Sequence, residues 1–493
     1  MKLTPNELKL TTVLLYVKNV EIRFAGGWVR DKLLGLSSHD IDVALEGMTG
    51  EEFVGKLQYE LQEHHQENMI SHIGKIAMNP DQSKHLETVT GKVCNFDCDF
   101  VNLRSESYAN HSRIPEMALG SAKEDALRRD FTINSLFYNV NSQKLEDFTG
   151  HGLKDLENQI IRTPIDAKLT FQDDPLRAIR AVRFASKLKF KICPEVVAAC
   201  QQQEIKEALH SKVSNERIVI ELNKVLSSNH PDYGFYMLNK THLFDAIFDN
   251  TFTVKIKKNA KKIPFTFEKN TANHIVSLSR LLNLQTSDSF LPIPLDPDQT
   301  RILYLSILYS TYSNSLSMLE SWSYLSNYFT VTGLKFSKKD NSLAGENLYK
   351  SLQIKSCFFD NNHDLTKKQF GLFIKRHCTN SSIYPPLMLA SLLYLKDHFT
   401  TTFDEEKLEF HDDFSPQGIN HVTAVVNDVL GLISKYKFEN IANWKPILDG
   451  NDIQKLKPVK GEAVGEAMKA VLEYQIEHHP VAIEQVKEWF KKQ

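Results

Sequence analysis

Apolar and polar positions change rhythm once along the chain. As far as about residue 150, period-two alternation is interleaved with helical spacing, and from about residue 165 the spacing is almost wholly helical. EIRFAGGWVRDKLLG (21–35) predicts a short apolar strand, a turn at Gly26-Gly27 and then a helix. HDIDVAL (39–45) and KVCNFDCDFVNL (92–103) alternate as strands do. DALRRDFTINSLFYNV (125–140) predicts a helix, and KLEDFTGHGLKDLENQIIRT (144–163) a strand, a glycine turn and a short amphipathic piece. Farther on, DDPLRAIRAVRFASKL, PEVVAACQQQEIKEAL and SNERIVIELNKVLS each gather apolar residues on one helical face behind a start signal. Basic KIKKNAKK (255–262) and the Ser/Asp/Pro-rich stretch near 286–298 read as loops. The fold class is therefore α+β, a mixed-sheet head followed by a long all-α remainder.

At roughly 150 residues per domain, 493 residues suggest about three domains. With 42% hydrophobic and 24% charged residues, the chain is not disordered, collagen-like or a disulfide scaffold. Charge matters more: 59 basic against 61 acidic side chains leave −2, so any contact with nucleic acid must come from local patches. Six cysteines without a CxxC pair fit a reducing compartment and six free thiols. No run approaches the ~18–20 apolar residues of a membrane span, so no membrane role is expected. The start, MKLTPNEL, lacks a secretory apolar core and the Arg-rich character of a transit peptide, although a longer translated form could carry one.

On a strand, Asp40 and Asp42 project from the same face, and two such carboxylates repel unless a cation sits between them. Mg²⁺ takes one or two protein carboxylates together with phosphate oxygens, so a Mg–nucleotide site is the chemical reading; alone, a DxD is common. Upstream, Gly26 and Gly27 let backbone N–H groups approach a phosphate, and Arg30 supplies a fork-shaped cation; a tight turn with a solvated arginine is the plain alternative. Asp99 offers a third carboxylate if its strand lies beside that of Asp40. Arg128 and Arg129, at the start of a helix, would sit badly with its dipole unless an anion compensates, either a nucleotide phosphate or Glu124 and Asp125. In DDPLRAIRAVR, Asp174 precedes Pro175 as a cap and lies three residues from Arg177, with Arg180 and Arg183 continuing the stripe. A carboxylate and a guanidinium held side by side can match the edge of a base, whereas a capping aspartate and a solvated stripe are the structural alternative. His411-Asp412-Asp413 superficially resembles a metal-dependent HD phosphohydrolase, without recognisable partner ligands.

GGWVRDKLLG…HDIDVAL, RRDFTINSLFYN, EDFTGHGLKDLENQIIRTP, DDPLRAIRAVRFASKLKF and SNERIVIEL occur in the order of the five motifs of class II template-independent nucleotidyltransferases. They cover about 26–222, and the segment 445–480 resembles the same family's tail, so the chain resembles the eukaryotic, fungal-type CCA-adding enzymes. The resemblance implies a nucleotidyltransferase head (1–150), a base-reading neck (151–230), a body (231–350) and a tRNA-binding tail (351–493). It implies Mg²⁺ on Asp40 and Asp42 with Asp99 as a further catalytic carboxylate. Gly26, Gly27 and Arg30 would take the triphosphate, Arg129 would contact the nucleotide, and Asp130 would lie near its ribose. Asp174 and Arg177 would select C or A, with Arg180 and Arg183 adding contacts. The tRNA 3′-hydroxyl would attack the α-phosphate of CTP or ATP in a two-metal reaction releasing pyrophosphate.

For the tRNA itself, candidates are the 255–262 cluster, or a solvated loop there, and the turn carrying Lys457, Lys460 and Gly461. The segment 105–122 is the candidate for switching from C to A. A monomer of the cytoplasm and nucleus is expected, with mitochondria reached through a longer start form. The rivals are a poly(A) polymerase, a partial CC- or A-adding enzyme, and a catalytically silent tRNA-binding protein.

Overall fold

In the first part of the chain, strand segments such as 96–102 form where one face is apolar and the other carries charge. The computed structural model describes residues 1–38, 40–76, 88–107, 116–248, 252–256, 259–263, 269–310, 335–361, 364–379 and 382–493. After α1 (Pro5–Leu14) come β1 (Glu21–Ala25), α2 (Gly27–Leu33), β2 (Asp40–Glu46), α3 (Gly50–Glu63), β3 (Ile70–Ile76), β4 (Thr88–Val93) and β5 (Phe96–Asn102). The hairpin β6 (Arg104–Ser107) and β7 (Glu116–Leu119) precedes α4 (Ala122–Leu127), β8 (Leu136–Asn139) and β9 (Lys144–Asp147). Seven strands make one sheet in the order β3-β4-β5-β2-β1-β8-β9. Its named pairs are antiparallel except β2 with β5, which run parallel. The alanines at 25, 44, 122 and 126 join Leu103 and Phe137 in one core cluster, and their small side chains let α4 approach the sheet closely.

The helical stretch then runs through α5 (Gly152–Glu157), β10 (Ile160–Ile161), α6 (Ala167–Asp173), α7 (Leu176–Leu188), β11 (Lys191–Ile192), α8 (Pro194–Gln201), α9 (Gln203–Lys212) and α10 (Asn215–Leu226). Helix α7 buries Leu176, Ala178, Ile179, Ala181, Val182, Phe184 and Ala185, which leaves Arg177, Arg180 and Arg183 along its half-exposed flank. Two compact units emerge, one of residues 1–222 with 240–247 and the other of residues 223–239 with 248–493.

Three expectations change. DALRRDFTINSLFYNV is not one helix: α4 stops at Leu127, a single 3₁₀ turn covers Thr132–Asn134, and β8 follows. All four residues of β8 are buried, and an apolar run covered on both faces has no periodicity to separate strand from helix. Second, the basic cluster at 255–262 falls on a hairpin, Phe252–Ile256 paired with Asn259–Ile263 in the register Lys255↔Ala260, with 257–258 outside the described residues. Third, the second unit also carries the hairpin Phe399–Asp404 with Glu409–Phe414. The centre of the proposed switching segment, 108–115, lies outside the described residues. All six cysteines are free thiols, and among the described residues no helix is long and apolar enough to cross a membrane.

Candidate active site

The parallel pairing of β2 with β5 sets Asp42 directly opposite Asp99 and Asp40 opposite Asp97. Ile41 and Cys98 are buried beneath, while all four carboxylate residues are exposed. Asp97 is drawn off by Lys92, whose Nζ lies 3.2 Å away. Partial burial pushes the Asp99 carboxyl above its ordinary range, and the negative charges of Asp42, Asp40 and Asp97 push it further. Hard oxygen donors crowded until one resists ionisation form a set that a divalent cation relieves. Among the described residues no three metal-binding side chains already close on one point, so a cation would have to draw these carboxylates together.

At the other side of β2, strand β1 ends in Gly26, whose N–H donates to the Leu136 carbonyl at 3.0 Å. Its φ of 64° and ψ of −120° are the mirror image of an extended conformation, and a Cβ there would lie 2.5 Å from Arg129 Nη1. Gly27 opens α2 beside it. Arg30 is turned inward and only 4% exposed. It donates from Nε to Asp31 at 2.7 Å and from Nη1 to the Asn134 side chain at 2.5 Å, and lies over the Phe184 ring. The guanidinium expected on the triphosphate is thus held within the head, with Nη2 3.7 Å from where a Cβ on Gly27 would lie.

Arg128 and Arg129 stand at the C-terminal end of α4, not at a helix start, so the dipole favours them there. Asp125, 2% exposed, clamps both: Oδ1 accepts from Arg128 Nε at 2.9 Å and Oδ2 from Arg129 Nε at 3.0 Å. Burial raises its carboxyl, but the two guanidiniums overcome that and hold it below the ordinary range. Arg129 also donates to the Asn134 carbonyl at 3.1 Å. Asp130 is interior and fully engaged. Oδ1 accepts from the Phe131 N–H and from Asn134 Nδ2, both at 2.9 Å, and Oδ2 from Arg180 Nε at 2.9 Å. Burial again raises and Arg180 outweighs it, so Asp130 is lowered.

Asp174 terminates α6, and its two oxygens are divided. Oδ1 accepts from the Leu176 N–H at 3.2 Å, as a cap would, and Oδ2 accepts from Arg217 Nη2 at 2.9 Å. Arg177 donates from Nη2 to the Arg128 carbonyl at 2.8 Å, which ties the start of α7 to the end of α4. Arg183 faces Glu221 at 3.0 Å, and Arg180 lies 3.9 Å from the same carboxylate. Three guanidiniums, of Arg30, Arg180 and Arg183, surround the Phe184 ring at 5.0, 5.7 and 4.1 Å from its centroid. Arg217, Asn134 and Phe184 were not singled out by the sequence. The Asp174–Arg217 contact spans 43 residues, and no local spacing announces it.

In the second unit, helix Gly450–Leu456 ends where Lys457 N–H donates to Ile453, and Gly461 begins Glu462–His478 with φ 60° and ψ −134°, nearly the Gly26 conformation. Lys460 is exposed, and Lys457 Nζ lies 5.5 Å from the Phe490 ring. Asp412 is structural: Oδ2 accepts from Arg280 Nε at 2.9 Å and Oδ1 from Thr401 at 2.7 Å.

A parallel strand pair that brings Asp40 and Asp42 together with Asp99, flanked by a glycine turn and an arginine-bearing helix, defines a nucleotidyl-transferring head. A model of the poly A polymerase head domain matches residues 22–162, and one of the probable RNA and SrmB-binding site of polymerase A matches 189–253. The mitochondrial CCA tRNA nucleotidyltransferase of Saccharomyces cerevisiae is 34% identical over 93% of this chain and 85% of its own length. The chain belongs to the CCA tRNA nucleotidyltransferases. Its fold is shared by the CCA-adding enzyme of Bacillus stearothermophilus solved with CTP (TM-score 0.61, 18% identity, 99% of this chain and 98% of that one). It is also shared by a tRNA nucleotidyltransferase solved with a primer tRNA and an ATP analogue (TM-score 0.54, 20% identity, 86% and 99%). Divalent metal use is a property of this family.

Proposed function

We propose that the chain completes tRNA 3′ ends, adding C, C and A from CTP and ATP and releasing pyrophosphate, with the residues above in the following roles. The observation that carries the assignment is the parallel register that sets Asp42 beside Asp99 and next to Asp40. Mg²⁺ is assigned to Asp40 and Asp42, with Asp99 completing the set; bound there, it would activate the attacking 3′-hydroxyl and neutralise the departing pyrophosphate. Gly26 and Gly27 keep the triphosphate side clear of side-chain carbon, and Arg129 offers the cation that Arg30, turned inward, does not. Asp174 accepts from the exocyclic amino group of C or A while Arg177 donates to the adjacent ring nitrogen. U and G present that donor–acceptor order reversed. Arg180 and Arg183, paired with Asp130 and Glu221, hold α7 in place. The substrate's own hydroxyl attacks, so no side-chain nucleophile is needed.

Lys457, Lys460 and the helix start at Gly461 are assigned to tRNA phosphates. The chain acts as a monomer divided into head, neck, body and tail. It serves the cytoplasm, the nucleus and mitochondria. The test is incubation with Mg²⁺, CTP and ATP on tRNA lacking its 3′ end, followed by sequencing of the products. Growth by C, C and A and then arrest is expected. Long A tails or arrest after two C residues would move the specificity to a relative, and tRNA binding without extension would leave a silent binding protein.

A further inference from the structure

Arg217 is placed against a local rule. It lies in the first turn of α10, three residues after Ser214, whose carbonyl accepts its N–H at 3.0 Å. A cation there opposes the helix dipole, and departures of this kind concentrate where function needs them. Its guanidinium reaches back to Asp174 Oδ2 at 2.9 Å, while the Leu176 N–H holds Oδ1. A carboxylate fixed at both oxygens cannot turn about its last bond, so its remaining lone pairs keep one direction. Arg177 is fixed in parallel by the Arg128 carbonyl at 2.8 Å.

We propose that Arg217 is a specificity-positioning residue: by holding Asp174 Oδ2 it keeps the acceptor half of the base-reading pair at one angle, so that an amino group is accepted and a carbonyl oxygen refused. The inference rests on the assignment of Asp174 and Arg177 as base readers. Without Arg217 the carboxylate is free to swing on its capping bond, and the distinction between amino and carbonyl edges softens. The pair is half-exposed, and an exposed ion pair contributes little to stability, so the effect is separable from unfolding.

The experiment compares the intact protein with Arg217→Gln, Arg217→Lys and Asp174→Asn. It measures kcat/KM for CTP, ATP, UTP and GTP on tRNA lacking its 3′ end, with thermal melts alongside. In Arg217→Gln, CTP-over-UTP and ATP-over-GTP preference is expected to fall roughly ten- to hundredfold, the cost of a small misplacement. Unfolding temperature stays unchanged, and Arg217→Lys restores part of the preference. Equal loss with all four nucleotides, or no change in preference, would overturn the proposal while Asp174→Asn still loses discrimination. If Asp174→Asn itself keeps discrimination, the base-reader assignment fails first and the role of Arg217 with it.

Discussion

Gly26→Ala tests whether the turn after β1 is shaped by one particular neighbour. At φ 64° and ψ −120° an L-residue is strained, at a cost of order 1–3 kcal/mol. The added methyl would also lie 2.5 Å from Arg129 Nη1, so the guanidinium must withdraw. Arg129 is held by Asp125 and the Asn134 carbonyl, and losing the latter charged hydrogen bond costs about 1.5–3 kcal/mol. Together these suggest roughly 2.5–6 kcal/mol, below most of the usual 5–15 kcal/mol range of total stability, so a folded but weakened protein is expected. Steady-state kinetics with CTP should then show a raised KM, because the cation nearest the turn has moved. The decisive measurement is a double-mutant cycle. Arg129→Ala removes the atom that clashes, so Gly26→Ala should cost about 1.5–3 kcal/mol less in that background. Strictly additive effects, or an alanine variant with unchanged stability and KM, would refute the steric argument.

Four further outcomes follow from the same geometry. Asp99→Asn removes a carboxylate whose folded pKa is raised. Such a group favours the fold below its ordinary range and ceases to as pH rises through the folded value, so the variant should melt higher than the parent at neutral pH without metal while losing nucleotidyl transfer. Calorimetry without metal, followed by primer extension, checks both halves. Asp125→Asn leaves two guanidiniums without their shared partner and should cost about 3–5 kcal/mol, read from denaturant unfolding. Asp125 and Asp130 are both lowered in the fold, so their stabilisation is present above the ordinary carboxylate range and lost as pH falls through their folded values, which an acid titration by circular dichroism would follow. Lys457→Ala with Lys460→Ala should weaken tRNA binding and flatten its dependence on salt, with CTP kinetics on saturating tRNA little changed; an unaltered salt slope would remove that turn from the tRNA surface.

Much of the catalytic edge could be read from sequence, because period two alone puts Asp40 with Asp42 and Asp97 with Asp99 on shared faces. What spacing lacks is adjacency. Only the β2–β5 register brings Asp42 and Asp99 together, and nothing local records it. Helix α7 was legible for the same local reason, since its apolar residues recur at helical spacing and Pro175 stands at its start. The misread helix at 125–140 shows tertiary override. Ser135 donates its hydroxyl to the Ala126 and Phe131 carbonyls, and the Thr132 N–H donates to Arg162. These bonds lead the backbone out of the helix and into a strand buried on both sides. Arg30 was placed by its position in the turn, yet whether a side chain faces out or in depends on Asp31, Asn134 and Phe184, which surround it from three separate elements.

The sheet order also matters while the chain is being synthesised. Strand β1 meets β2 soon after both leave the ribosome, but its other neighbour is β8, with Arg23 paired to Asn139. Gly26 has no acceptor for its N–H until Leu136 arrives. At about 5–20 residues per second, the interval between those two residues lasts roughly 6–20 s. Throughout it, one side of β1 is an unpaired edge beside strands that already carry the carboxylates, an invitation to off-pathway pairing with another nascent chain. Slowing or pausing translation before codon 136 would prolong that exposure, whereas a pause placed once residues 136–147 have left the ribosome would let the sheet close first.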